Sequence, residues 1–256
     1  MLLTATLPSR RPSRSARWAL NLAVFLPVLA GLSILAHRGT LIDTPTLLVL
    51  VALCGLLCLL GLLLFAFGLR SLWVHGTRGG RRLSWALFLL MPFVVLYAIA
   101  ALAWALRPAL SDVSTDLIDP PVFASERRAH GTGAPAVVAG RLHDGYPELL
   151  GTRFKAPLDA TDGVVTEVAE TLGWQRVRGR GRIGAVDELF VEYAYKTPVL
   201  NMPVQIVVRT TDEGETTFVD VRARMPHLRH DLGISAGIVR RFLADVDYEM
   251  IGIAEP

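Results

Sequence analysis

The sequence predicts a membrane protein of two parts: three transmembrane α-helices, followed by an extracytoplasmic α+β domain in which an antiparallel sheet carries helices on one face. Three observations predict it. Of 256 residues, 52% are hydrophobic and only 19% charged, and the mean hydropathy is +0.43, which excludes an ordinary soluble domain and a disordered chain. The first 106 residues hold three uncharged apolar runs. Charge divides along the same line: residues 1–106 carry nine arginines, no lysine and one acid, Asp43, a net of +8, while residues 107–256 carry 17 bases and 22 acids, a net of −5. The pI near 9.1 is therefore an average over two unlike halves. It reports membrane topology and argues against nucleic acid as a partner.

A helix needs about 20 apolar residues to cross a hydrocarbon core of roughly 30 Å. Residues 18–36, 46–69 and 84–106 each supply such a run without an acid or a base. Pro27 and Pro92 lie inside the first and third runs, where a membrane helix tolerates them. Trp18, Trp73, Trp85 and Trp104 fall at or near span ends, at headgroup level. Arg10, Arg11, Arg14 and Arg17 precede the first span, Arg70, Arg78, Arg81 and Arg82 separate the second from the third, and only Arg38 lies between the first two. The positive-inside rule then puts the N-terminus in the cytoplasm and residues 107–256 outside, in the periplasm of a Gram-negative cell. A cleaved signal peptide is the alternative for the first span, but its apolar stretch exceeds the usual 7–15 residues or so and no small-x-small site follows it. Arg10-Arg11 is followed by Pro12-Ser13 where a twin-arginine signal needs apolar residues. Cys54 and Cys58 share one face of the second span as packing residues, and the outer domain has no cysteine, so it depends on a hydrophobic core.

Residues 107–153 lack sustained periodicity and are rich in breakers: Asp119-Pro120-Pro121, an Ala/Gly/Arg/Pro stretch over 126–140, and Gly145-Tyr146-Pro147. They predict an extended tether, partly laid against the domain at 154–256. Val164, Val165, Val168, Ala169 and Leu172 recur at helical spacing and Gly173 supplies a stop. Residues 174–178 and 182–186 are short strand candidates around a turn at Gly179-Arg180-Gly181. Strands follow over 189–197 and 204–211, and Asp212-Glu213-Gly214-Glu215 turns into another over 216–225. In that last strand Val219, Val221, Ala223 and Met225 share the core face, while Asp220, Arg222 and Arg224 share an outward, charged one. Ile234, Ile238, Val239, Phe242, Leu243 and Val246 form a final helical stripe capped by Asp231 or Ser235. Helices on one sheet face bury both stripes.

The blocks Asp112-Val113-Ser114-Thr115-Asp116-Leu117-Ile118-Asp119-Pro120-Pro121-Val122-Phe123, Tyr146-Pro147, Gly173-Trp174, Val219-Asp220-Val221-Arg222, Asp231-Leu232-Gly233 and Arg240-Arg241-Phe242-Leu243 together resemble the bacterial family called domain of unknown function fourteen-ninety-nine. The resemblance covers about 111–246. It implies a domain often joined to a few N-terminal membrane spans, located in the envelope, with no known activity. Departures stand at Ala223, Met225, Pro226 and Leu228, where the family tends to serines, an arginine and a glycine, and at Ser235, where it has asparagine. If that polar cluster is a site, this chain has lost or altered it.

Among candidate sites, Asp220, Arg222 and Arg224, with Arg209 on the adjacent strand, form a row whose guanidinium forks suit carboxylate or phosphate of an anionic lipid or wall fragment. The alternative is a self-neutralising, solvated sheet face. Asp112, Asp116 and Asp119 lack the spacing of a calcium loop and read as turn and cap formers. His227, His230 and Asp231 follow Pro226 in a loop that gives no helical ligand spacing, so no metal is expected there. No nucleophile elbow, P-loop or zinc-protease helix occurs. No cofactor and no catalytic residue are expected. The sequence favours an integral inner-membrane protein whose outer domain binds or scaffolds an envelope component, whether lipid headgroup, wall fragment or membrane protein partner. An envelope hydrolase or transferase acting on lipid or wall precursors, and an accessory subunit of a membrane complex, are the alternatives.

Overall fold

The computed structural model describes residues 13–124, 136–180 and 187–254. Arg10, Arg11, most of the stretch 126–140 and the strand expected over 182–186 lie outside the described residues. The chain forms two compact units, divided between Leu102 and Ala103.

The first unit consists of α1 (Arg14–Arg38), α2 (Thr44–His75) and α3 (Gly80–Leu106), the last turn of α3 belonging to the second unit. All three are long and apolar enough to cross a membrane, and the protein is a membrane protein on that ground. Each predicted apolar run lies inside one helix. The Ser13 hydroxyl accepts the Ala16 N–H at the start of α1, Asp43 accepts the Thr46 N–H at the start of α2, and Gly76 (φ +57°) ends α2. The Ser13 N–H donates to the Arg78 carbonyl at 3.0 Å. That bond brings the start of α1 and the α2–α3 loop, with their arginines, to one end of the bundle.

Small residues set the packing, as expected where lipid offers no hydrophobic drive between helices. Ala16, Ala19 and Ala23 of α1 are fully buried, and Cys54 and Cys58 lie in the same cluster. Three glycines of α2 are notches for large side chains of α3. A Cβ at Gly68 would lie 2.8 Å from Leu83, one at Gly61 3.1 Å from Leu90, and one at Gly55 3.1 Å from the Tyr97 ring. Seven-residue steps on α3 thus meet steps of seven and six on an antiparallel α2, and the Tyr97 hydroxyl donates to the Val51 carbonyl at 2.6 Å.

The second unit has the expected α+β layout. Its strands are β1 (Asp112–Ser114), β2 (Thr152–Phe154), β3 (Gln175–Arg180), β4 (Glu188–Lys196), β5 (Pro203–Asp212) and β6 (Thr217–Arg224). Its helices are α4 (Ala136–Gly145), α5 (Leu158–Thr171) and α6 (Ile234–Ala254). The sheet is antiparallel in the order β1-β6-β5-β4-β3, and β2 pairs with the other half of the β6 edge. Register sets Tyr193, Ile206 and Ala223 in one row and Val191, Val208 and Val221 in the next. These side chains are buried against Val165, Val168 and Ala169 of α5 and Val239, Phe242 and Val246 of α6. Trp174 stacks on Phe242 with ring centroids 4.7 Å apart.

Two expectations are corrected. The stretch 107–153 is no separate tether, because it supplies β1, α4 and β2 to the same unit, and β6 would otherwise leave a row of unpaired backbone groups. Gly179 is not in a turn, since it pairs with Val191 inside β3.

Candidate functional site

The charged face of β5 and β6 does not face water. A strap formed by residues 112–124 lies across it, so Asp220 is 1% exposed, Arg209 8% and Phe123 3%. The reason is electrostatic. Arginines under cover need carboxylates, and an uncompensated buried charge costs several kcal/mol, roughly 3–5 when one partner of a pair is removed. The strap supplies them.

Arg209 is the centre. Its Nη2 donates to Asp116 Oδ2 and to Asp220 Oδ2, each at 2.7 Å, and its Nη1 to Asp119 Oδ2 at 3.2 Å. Asp116 also accepts the N–H groups of Ile118 and Asp119, each at 2.9 Å, so the turn before Pro120 presents its carboxylate pre-set. Thr115 donates its hydroxyl to Asp220 Oδ1 at 2.9 Å, accepts the Val221 N–H on the same hydroxyl oxygen at 3.0 Å, and donates its own N–H to the Val221 carbonyl at 3.0 Å. Burial pushes the Asp116 carboxyl up, but the Asp119 and Ile118 N–H groups and the Arg209 guanidinium outweigh it and hold that carboxyl below the ordinary carboxylate range. At Asp220 burial wins over the same guanidinium, and the carboxyl is raised. Gly151 closes the cluster from the other side: a Cβ there would come 2.5 Å from Asp220 Oδ1 and 2.6 Å from the Phe218 ring.

Arg222 forms a two-pronged fork on Asp112, with bonds of 2.8 and 2.7 Å, and its Nη1 reaches the Pro121 carbonyl at 3.1 Å. Arg224 donates its Nε to Gln205 Oε1 at 2.7 Å and lies 4.0 Å from the centroid of the Phe123 ring. Four carboxylates (Asp112, Asp116, Asp119, Asp220) thus bond the Arg209 and Arg222 guanidiniums, and Arg224 lies against the Phe123 ring. The expected ligand row Asp220, Arg222, Arg224 and Arg209 is brought together as a group, but on a partner from its own chain. Pro120 and Pro121 are buried in the strap.

The other motif residues hold local structure. Asp231 accepts the Gly233 N–H at 2.8 Å and the Ser235 N–H at 2.7 Å, which makes it the cap at the start of α6. Tyr146 is buried just after α4, and Pro147 is exposed. Ala223 and Met225 are buried, Ala223 in the same row as Ile206 and Tyr193. His230 takes the Leu232 N–H on Nδ1 at 3.0 Å, which leaves the Nε2 proton for the Trp104 carbonyl at 3.1 Å. Among the described residues no cluster of His, Cys, Asp and Glu is placed to hold a metal.

Sequence reading missed three features. Thr115 and Phe123 complete the strap, and Gly151 abuts Asp220 beside it. The strap's partners lie 68 to 110 residues away, and the only signal for the ion pairs was the match of three aspartates in 112–119 with three arginines in 209–224. A groove of about 290 Å³ beside the end of the strap, lined by Phe123, Ala124, Arg178, Glu192 and Gln205, had no sequence signal of its own. Comparison of the chain with protein-family models, with curated proteins and with solved structures returns no match.

Proposed function

We propose that the chain is an inner-membrane protein with a cytoplasmic N-terminus, whose second unit binds or scaffolds an envelope component on the outer side. One observation carries the reading: only residues 107–111 separate α3 from β1, and the Arg107 guanidinium at the start of that link bonds the Gly233 carbonyl at the head of α6. A folded unit joined so briefly to a membrane span acts on what lies at or near the bilayer, such as a lipid headgroup, a wall fragment or a membrane protein. The arginine asymmetry supports the orientation, since the Ser13–Arg78 bond puts the two arginine-rich segments at one end. Membership of the family it resembles is part of the proposal. The blocks that carry the resemblance are those that build the strap, the α6 cap and the Trp174–Phe242 stack, and so they specify the fold.

Reporter fusions after Leu69 and after Leu106 test the orientation, with a cytoplasmic signal expected from the first and an external signal from the second. Cells whose only copy ends at Leu106 test the role. They are expected to show the same sensitivity to detergent and lysozyme as cells lacking the protein. A cytoplasmic signal after Leu106 overturns the orientation. Normal resistance with the second unit deleted overturns the scaffold and favours a subunit that acts through its spans.

A further inference from the structure

We infer that the groove beside the strap is an oxyanion site, taking a phosphate or carboxylate carried by an envelope component on Arg178 and the Gln205 amide. The inference rests on the second unit being a binding module and adds to it a place and a chemistry.

The strap uses up the arginines of β5 and β6, but it does not reach those of β3. In a regular strand Arg176 and Arg178, two residues apart, would share a face. They do not, because the register slips between them: Arg176 stands opposite Tyr193, on the helix side, and Arg178 opposite Glu192, on the strap side. Val177 is the extra residue of a β-bulge, a device that re-aims a side chain. Here it puts Arg178 on the groove side of the sheet, among the lining residues.

Glu192 is the cross-strand neighbour of Arg178 and lines the same groove, but its carboxylate is turned to the strap. Its Oε1 accepts the Ala124 N–H, where the strap ends. Among the described residues the Arg178 side chain makes no ion pair or hydrogen bond. On the next strand but one, Gln205 accepts the Arg224 Nε through Oε1, and this fixes the amide so that its NH₂ is the group left to donate. The groove therefore offers a planar cationic fork and an amide donor, beside the Phe123 ring and with the Glu192 carboxylate held on the Ala124 N–H at its strap end. Its volume, about 290 Å³, suits a headgroup or a sugar phosphate.

The test is calorimetric titration of inorganic phosphate into the full chain in phosphatidylcholine nanodiscs at constant ionic strength. Saturable binding is expected. Arg178→Ala and Gln205→Glu should each weaken it tenfold or more, and Arg178→Lys less, since a point charge replaces a fork. Arg229→Ala, an exposed arginine outside the groove, should change nothing. No saturable binding by the wild type, or equal weakening by Arg178→Ala and Arg229→Ala, overturns the site. Acetate should compete. Glycerol 1-phosphate and N-acetylglucosamine 1-phosphate then distinguish the sources, the tighter competitor pointing to a lipid headgroup or to a wall sugar. Phosphate binding without an envelope defect in cells sinks the proposed role and leaves the site standing. The defect without phosphate binding does the reverse.

Discussion

At the scale of single residues, Arg209 organises the second unit, and its environment makes two predictions. Arg209→Met leaves Asp220 buried without its countercharge and should cost about 3–5 kcal/mol, seen as a lower melting temperature of the full chain in detergent. The second concerns pH. Asp116 is held below the ordinary carboxylate value of about 3.9, so it contributes stability that is fully present above that value and is lost as pH falls through its depressed folded value. Asp116→Asn should therefore melt below the wild type at pH 7, and the two should converge in acid. Asp220 works the other way: its raised carboxyl makes its ionisation a cost that appears as pH rises through the folded value, so Asp220→Asn should steepen the loss of stability on acidification. The aspartates of 112–119 were legible as turn formers, and Asp116 is one. Their second role was not legible, because the ion pairs they make are tertiary and leave no trace in local spacing.

At the scale of elements, the strands β4, β5 and β6 and the helices α5 and α6 were legible because each buries one face and alternation or helical period reports it. β1 and β2 were not. Three residues each are too few to show a period, and what makes them strands is the exposed edge of β6. The bulge in β3 escaped for a related reason, since a two-residue alternation of arginines reads as one face until the partner strand shows the slip. In the membrane unit the glycines of α2 carry a prediction. Gly68→Leu has no room against Leu83 and should weaken α2–α3 packing by about 1–3 kcal/mol. Cysteine cross-linking between α2 and α3, with partners introduced at lipid-facing positions, should fall accordingly, whereas Gly76→Asn, in open space with φ +57°, should leave it unchanged.

At the scale of the whole molecule, the division into an apolar half and a charged half was legible from composition, but the boundary was not. The second unit begins at Ala103, in the last turn of α3, and not at residue 154. A fragment covering 154–256 lacks the strap, β1 and β2, leaving Arg209 and Arg222 without Asp116 and Asp112. It should aggregate or bind a hydrophobic dye, while one covering 104–256 should show a cooperative melt by circular dichroism. The strap has one more consequence, for how the protein is made. Asp112 and Thr115 leave the ribosome early, yet their partners Arg222 and Asp220 follow 110 and 105 residues later. Loop closure over such a distance is slow. From the moment the third span is inserted until β6 has been synthesised and delivered, the nascent unit carries an open sheet edge and unmatched charges. In that interval the unit exposes edge and charge that the finished fold covers, and it is most open to proteolysis.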